Sequence, residues 1–301
     1  MKFGFLAHAV SPEQRNAIRA GSLLADFLGA DQTGHPWVRM PFLRTMHSPT
    51  GSACTGEVRY LPWTAQDILR RPQAARRIVV EEVNELAAAG AQLVGLGGAT
   101  SIVGDRGLWA AQRANVPVTS GNALTSYAAW RGIHDIARLL DLPVSELPLC
   151  VVGYPGAIGL AVTRLLLDDG AHVHLVHRPT HAPGALLRYL PERQRDRVSL
   201  GASLAALAQQ PFVVVAASSS GNLIDPAALA PGSVVIDVAL PRDVLPGARD
   251  RRDIAVLDGG LVSAGTLTID DGPLAPTQAL NGCLAETMVL ALDGRAESLS
   301  I

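Results

Sequence analysis

Two stretches of the sequence carry residue types whose spacing could do chemistry. The first is Asn281-Gly282-Cys283-Leu284-Ala285-Glu286, which opens an apolar-periodic segment running to Leu292. With Asn281 as N-cap, Cys283 falls in the first helical turn. Unpaired N–H groups and the positive end of the helix dipole there favour a thiolate, a usable nucleophile near neutral pH. A lone helical cysteine serves equally as a small buried apolar residue, so the spacing leaves both roles open. The second stretch is Gly153-Tyr154-Pro155-Gly156-Ala157-Ile158-Gly159, which follows an apolar run and opens another apolar-periodic helix. Glycines in that context let the backbone turn tightly and approach a pyrophosphate seated on the helix N-terminus. Gly153, Gly156, Ala157, Ile158 and Gly159 are therefore expected to hold a dinucleotide. Their G-x-x-G-x-x-G spacing is a variant found among NADP-type sites.

The next apolar run ends at Val176-His177-Arg178-Pro179, with no acidic residue for a ribose 2′-hydroxyl. An arginine there suits a 2′-phosphate, so NADPH is the expected cofactor, with His177 and Arg178 beside it. Ser218 and Gly259-Gly260 stand after later strands, where ligands bind in open sheets, and complete the expected nucleotide set. For Arg178 the plain alternative is a solvated strand-end charge, and for Ser218 and the glycines it is ordinary loop chemistry.

Composition removes other mechanisms. Lys2 is the only lysine among 25 basic residues, which excludes Schiff-base chemistry and reductases that use a Tyr-x-x-x-Lys pair or a Lys–Asp dyad. Cys54, Cys150 and Cys283 show no metal-ligand spacing, and the eight histidines form no ligand pair beside a carboxylate cluster; no metal is expected. So few cysteines, odd in number, argue against a disulfide framework and for a cytoplasmic location. A net charge of −2 with 17% charged residues predicts binding neither to nucleic acid nor to anionic membrane. No apolar run reaches the roughly 20 residues of a membrane helix, so no integral membrane association is expected. Phe3–Ala7 reads as a strand rather than a leader. The densest basic cluster, Arg70, Arg71, Arg76 and Arg77, reads first as a solvated helix face, with a patch for an acidic carrier helix as the functional alternative. Oligomeric state stays open, with a homo-oligomer among the options.

The elements that must position these residues alternate strand and helix, which predicts an α/β fold in two domains with mainly parallel sheets. An N-terminal α/β substrate domain is expected over 1–145. A Rossmann-type doubly wound parallel-sheet NADP-binding domain is expected over 146–270. Residues 271–301 carry the Cys283 helix, expected to pack near the interdomain cleft. In the first domain Phe3–Ala7, Gln92–Leu96 and Val116–Thr119 read as strands. Ser11-Pro12-Glu13-Gln14 reads as a capping box with proline at the first helical position. Residues Ala75 to Ala87 form an amphipathic helix ended by Gly90, and 121–140 a long helix. The Pro/Gly/Ser/Thr-rich stretch 34–62 reads as a long surface excursion with one short strand, Glu57–Leu61. In the second domain strands are expected at Leu149–Val152, Ala171–Val176, Phe212–Ala217, Ser233–Val238 and Ile254–Leu257, with a helix over 156–169.

Taken together, several segments resemble the cyanobacterial-type long-chain fatty acyl-(acyl-carrier-protein) reductases, which form fatty aldehydes. They include Phe3-Gly4 with His8, Ser11 and Glu13-Gln14; Ser48-Pro49-Thr50-Gly51; and Gly97-Gly98-Ala99-Thr100-Ser101-Ile102. Then come Thr119-Ser120-Gly121-Asn122 with Thr125 and Tyr127, the nucleotide loop, Ile224-Asp225-Pro226, Ile236-Asp237, Leu257-Asp258-Gly259-Gly260 and Cys283-Leu284-Ala285-Glu286. The resemblance implies that Cys283 is acylated by an acyl-carrier-protein or acyl-coenzyme A thioester. NADPH would then reduce the acyl-enzyme to a hemithioacetal that collapses to the aldehyde. It implies a substrate role for His8, Gly97, Gly98, Thr100, Ser101, Asn122 and Tyr127. Leu124 departs from the family, which tends to have histidine there, and the chain lacks the family's longer C-terminal extension. These departures open the acyl group to shorter or branched chains as well as long ones. The competing readings are an NADP-dependent alcohol, keto or amino-acid dehydrogenase in which Cys283 only packs, and a non-catalytic nucleotide-sensing or carrier-protein-binding module.

Overall fold

The alternation of strands and helices folds, in the computed structural model, into two α/β units. The structure describes residues 1–18, 38–180, 182–263, 267–269, 272–273 and 279–300. The first unit comprises Met1–Leu124 with Val262–Ser300, and the second Thr125–Leu261.

In the first unit β1 (Lys2–Ala9) lies between β3 (Ala53–Thr64) and β4 (Leu93–Leu96), parallel to both, and β5 (Val118–Thr119) extends the parallel run beside β4. Buried on both faces, β4 is apolar throughout (Leu-Val-Gly-Leu), as parallel strands covered by helices must be. After β1, helix α1 is described over residues 12–18. Half of the expected capping box forms: Ser11 Oγ accepts the Gln14 N–H at 3.2 Å, while Gln14 Oε1 accepts from the N–H of Val10, one residue before Ser11, at 2.7 Å. The helices α2 (Ala65–Arg70), α3 (Pro72–Ala88), α4 (Ala99–Val103) and α5 (Leu108–Ala111) follow. On α3, Ala75, Val79, Val83 and Leu86 are buried at helical spacing and join Leu6, Val94 and Leu96 in one core. The stretch 34–62 differs from expectation. Residues Val38–His47 form a strand, β2, antiparallel to β3, which itself extends four residues before and three after the short strand foreseen. Pro41 and Pro62 and the intervening glycines and threonines mask this pattern, yet Met46, Cys54 and Val58 supply a buried face. The hairpin closes at Ser48-Pro49-Thr50-Gly51, where Ser48 N–H donates to Ser52 O at 2.8 Å.

The second unit carries a six-stranded, all-parallel sheet. Its strands are β6 (Leu149–Tyr154), β7 (Val173–His177), β8 (Val198–Gly201), β9 (Val213–Ala216), β10 (Val234–Asp237) and β11 (Ala255–Asp258). They lie in the order β11-β10-β9-β6-β7-β8, the doubly wound 3-2-1-4-5-6 order with its switch point between β6 and β9. Two helices flank this part of the chain, α6 (Asn122–Leu140) and α7 (Ala157–Asp168). The division between units falls inside α6, earlier than the expected joint at 145/146. The physical reason is the apolar stripe Ala129, Ile133, Ile136 and Ala137, which packs with Leu149, Val151, Leu166 and Ile236 in the second core.

The chain from Val262 returns to the first unit. Its last helix, α9 (Gly282–Leu292), places Met288 and Ala291 among Phe3, Phe5, Met46 and Val58. A short helix, α8 (Pro183–Leu187), precedes β8 in the second unit. Among the described residues no helix is long and apolar enough to cross a membrane.

Candidate functional site

The first unit builds a site around Cys283. The α9 helix can lie close on β4 because Gly95 has no side chain: a Cβ there would fall 1.9 Å from Thr287 Oγ1. Thr287 in turn donates to Cys283 O at 3.0 Å, steadying the first turn. Asn281 stands at the N-cap position, without a side-chain cap bond, so the first-turn N–H groups are free for the sulfur. From the other side comes Gly121, in left-handed conformation at φ +71, where a Cβ would lie 2.2 Å from Cys283 Cβ. The thiol is thus enclosed by backbone.

Its electrostatics differ from the simple helix-dipole expectation. Burial pushes the Cys283 thiol up to about 11, outweighing the N–H groups of Leu284, Cys283 and Gly98 that favour the thiolate, and the charge of Glu286 pushes the same way as burial. Desolvation of an anion defeats the partial charge of a helix end once the sulfur leaves water. The thiol of this half-buried residue therefore rests protonated near neutral pH. Cys54 and Cys150, pushed up to about 11 and about 12 by burial, behave as core residues.

Two side chains hold the surrounding backbone. His8 is buried; its Nδ1–H donates to Ala9 O at 2.9 Å and its Nε2 accepts the Ala99 N–H at 3.0 Å. Gly98, between Gly97 and Ala99, has φ +57, and a Cβ on it would strike His8 Nε2 at 2.5 Å. The imidazole therefore shapes the turn that directs the Gly98 N–H to Cys283. Burial lowers the His8 pKa, against the pull of the Ala9 carbonyl. Glu286, the single charged side chain of α9, grips the opposite loop. One oxygen accepts the Thr119 hydroxyl in a short bond, and the other accepts the Leu124 N–H at 2.7 Å. Thr119, Gly121 and Glu286 were legible only as parts of motifs. The available signal was a lone carboxylate one helical turn after the cysteine in an otherwise apolar helix.

Of the other expected substrate residues, Gly97 and Thr100 shape the same turn. Gly97 N–H donates to Leu6 O at 2.9 Å, and Thr100 Oγ1 donates to Gly97 O at 2.9 Å. Thr100 and Ser101 are buried, which makes them supports of the loop. Asn122 begins α6 beside Gly121. Tyr127 belongs to the second unit, is 51% exposed and rests against Trp130 with ring centroids 5.5 Å apart.

In the second unit the glycine loop leaves β6 at the switch point. Gly153, at φ +99, would place a Cβ 2.6 Å from Ala217 O, and a Cβ on Gly156 or Gly159 would lie 2.8 or 3.3 Å from Gly153 O. Each glycine is demanded by backbone approach. Gly156 caps α7 without a side-chain bond, leaving the N–H groups of Ala157 and Ile158 in a bare first turn. Arg178 is exposed at the end of β7, its guanidinium donating to Ser219 Oγ at 2.9 Å and Ser220 Oγ at 3.4 Å. The sequence reading did not find these two serines. His177 is buried, with Nδ1 donating to Arg178 O at 2.8 Å. Ser218 is held by Asp243, whose carboxylate takes its N–H at 2.7 Å and its hydroxyl in a short bond. Burial raises the Asp243 pKa despite those bonds. Gly259 and Gly260 follow the edge strand β11. A Cβ on Gly259 would strike Ile236 Cγ2 at 2.3 Å, so packing on β10 accounts for that glycine. Among the described residues no cluster of three His, Cys, Asp or Glu side chains could hold a metal ion.

No protein-family model matches the chain. It is 43% identical over its whole length to "Aminotransferase PigE" of Serratia sp., of which it spans 37%. It is 28% identical to the "Long-chain acyl-[acyl-carrier-protein] reductase" of Synechococcus elongatus, with 97% of this chain and 89% of that protein covered. Similar solved structures include the methylenetetrahydrofolate dehydrogenase-cyclohydrolase of Trypanosoma brucei (14% identity, 98% of this chain and 86% of that one, TM-score 0.42) and an NAD-dependent malic enzyme of Thermotoga maritima (20%, 74% and 59%, TM-score 0.40).

Proposed function

We propose that this chain is an NADPH-dependent oxidoreductase that reduces an acyl thioester to an aldehyde through acylation of Cys283. The observation that carries the reading is the enclosure of Cys283: its sulfur meets the N–H groups of Leu284, Cys283 and Gly98 while side-chain-free Gly121 lies against it. A nucleophile set among fixed backbone donors is the arrangement acyl transfer needs, because charge develops on the carbonyl oxygen as the sulfur adds.

Cys283 Sγ adds to the thioester carbon and the donor thiol departs, carrying the proton that Cys283 loses. The exchange is neutral overall, RC(O)SR′ + HS-Cys283 giving RC(O)S-Cys283 + HSR′. With so little thiolate at rest, that proton leaves as the carbon–sulfur bond forms. NADPH, where held, would supply a hydride equivalent to the acyl carbon, with a proton from water going to its oxygen. The hemithioacetal on Cys283 would then collapse, its hydroxyl proton passing to the sulfur as the carbon–sulfur bond breaks and the aldehyde leaves. Gly153, Gly156 and Gly159 with the bare first turn of α7 fit the pyrophosphate, and Arg178 with Ser219 and Ser220 fits the 2′-phosphate.

The resemblance to the Synechococcus elongatus reductase, whose name gives a long-chain acyl-carrier-protein substrate, supports the same reading. The aminotransferase name belongs to a Serratia protein of which this chain spans 37%. Transaminases act through a lysine amine on their cofactor, whereas Lys2, the only lysine, has its Nζ committed to Ala89 O at 2.6 Å. Burial of the thiol favours one alternative, an NADP-dependent alcohol, keto or amino-acid dehydrogenase in which Cys283 packs. Intact-protein mass after incubation with acyl thioesters of two to sixteen carbons, without NADPH, separates the two. An acyl adduct on wild type and none on Cys283→Ala, discharged as aldehyde when NADPH is added, is the expected result. Aldehyde or alcohol turnover surviving in Cys283→Ala, with no adduct on wild type, would refute it.

A further inference from the structure

We infer that the arginine–tryptophan face made by α3, α4 and α5 is where an acidic acyl carrier protein docks to deliver the thioester; this rests on the thioester reading above. Segments 70–81 and 102–113 carry six arginines (70, 71, 76, 77, 106 and 113) and two acids, Glu81 and Asp105, a formal +4 in a chain whose net charge is −2. Among the described residues only Arg77 of these six lies within ion-pair distance of a carboxylate, that of Glu81 at 3.6 Å. The rest present uncompensated charge.

The face is also built. The Trp109 ring has the Arg113 guanidinium 4.3 Å and the Arg76 guanidinium 5.8 Å from its centroid, the spacing of cation–π pairs. Arg113 is further fixed by Trp109 O and Gln112 Oε1, each at 3.3 Å. Two apolar side chains stand out among these charges, Ile102 at 44% and Leu108 at 47% exposure. Apolar side chains rimmed by arginine complement a helix that shows apolar residues flanked by carboxylates, and do not complement a sugar–phosphate backbone.

Position completes the case. Arg76 Nε donates to Val103 O, the last residue of α4, at 2.8 Å. The residue before that helix is Gly98, whose N–H meets the Cys283 sulfur. Five helical residues span about 7 Å, so the face begins one short helix from the nucleophile. A small thioester needs only the cysteine and its donors. A thioester tethered to a protein needs a seat for that protein within arm's length, and this face supplies one.

The test compares Cys283 acylation, read by intact mass without NADPH, from acyl groups carried on an acidic bacterial fatty-acid carrier protein and from the same groups on N-acetylcysteamine. The variant Arg71→Glu/Arg113→Glu reverses two exposed charges, and Arg193→Glu, exposed in the second unit, is the control. Expected for the double variant is at least a tenfold lower rate from the carrier protein and a rate within twofold of wild type from N-acetylcysteamine. Wild-type rates with the carrier protein should fall from 50 to 300 mM salt, as the Debye length shrinks from about 14 Å to about 6 Å, and rates with the small thioester should not. Equal carrier-protein rates in wild type and variant, an equal loss with both donors, or the same loss in Arg193→Glu would overturn the docking face while leaving acylation standing. No acylation of wild type by either donor would remove the thioester reading and the docking face together.

Discussion

The contact between Gly121 and Cys283 can be measured by adding one methyl group. In Gly121→Ala the new Cβ would start 2.2 Å from Cys283 Cβ, so the loop or the helix end must shift by more than about 1 Å, and by roughly 1.5 Å for full van der Waals separation. Two costs combine. An L-residue held at positive φ costs about 1–2 kcal/mol, and overpacking adds about 1–3 kcal/mol. Gly51→Ala isolates the first, because Gly51 also has positive φ, +88, with nothing within 4 Å of its Cβ position. The expected urea-denaturation loss is thus about 1–2 kcal/mol for Gly51→Ala and about 2–5 kcal/mol for Gly121→Ala. Because a displacement of that size misplaces a reacting atom, acyl transfer to Cys283 should fall about tenfold or more in Gly121→Ala alone. Equal stability of the two variants, with wild-type acylation in both, would show that the close approach does not exist.

Alkylation of Cys283 by iodoacetamide, followed by peptide mass, should rise about tenfold per pH unit from pH 7 to 10, because only thiolate reacts and its pKa lies at about 11. A plateau below pH 8 would contradict the burial. His8 titrates with a lowered folded pKa, so the unfolded chain takes up its proton first, and stability falls as pH drops below 6.5 toward the folded value. Replacing His8 by Ala strands the Ala99 N–H, costing about 1–3 kcal/mol, and flattens that slope; an unchanged difference between urea midpoints at pH 7.5 and 5.5 would count against it. Arg178→Ala should raise the Kd for NADPH about tenfold or more in fluorescence titration, the weight of a charge-assisted bond, and leave NADH binding as it was. Equal weakening of both would move Arg178 away from the 2′-phosphate.

Local pattern carried the second unit. Its strands are short apolar runs, and once they pair in parallel the 3-2-1-4-5-6 order puts Gly153 beside Ala217. The β2–β3 hairpin was hidden because prolines and threonines blur the period-two signal that Met46, Cys54 and Val58 carry. At Cys283 the helix start was readable from Asn281 and the apolar period behind it. The thiol's raised pKa was not, since it arises from burial, to which backbone remote in sequence such as Gly121 contributes without any side-chain signal. Ser219 and Ser220 escaped notice for a related reason: a serine run reads as a loop until an arginine from the neighbouring strand reaches it.

The bonds from Glu286 to Thr119 and Leu124 close over sequence separations of 167 and 162 residues, which bears on how the molecule is made. As the chain leaves the ribosome, the second unit is contiguous and can close on itself, whereas the first cannot. Its sheet face of Phe3, Phe5 and Val58 waits for Met288 and Ala291, on the order of ten seconds at ordinary elongation rates. During that interval an apolar surface is bare, a natural client for a chaperone. The same delay has a protective side: the thiol follows the second unit in the chain, so Gly98 and Gly121 meet it only after that unit has been made.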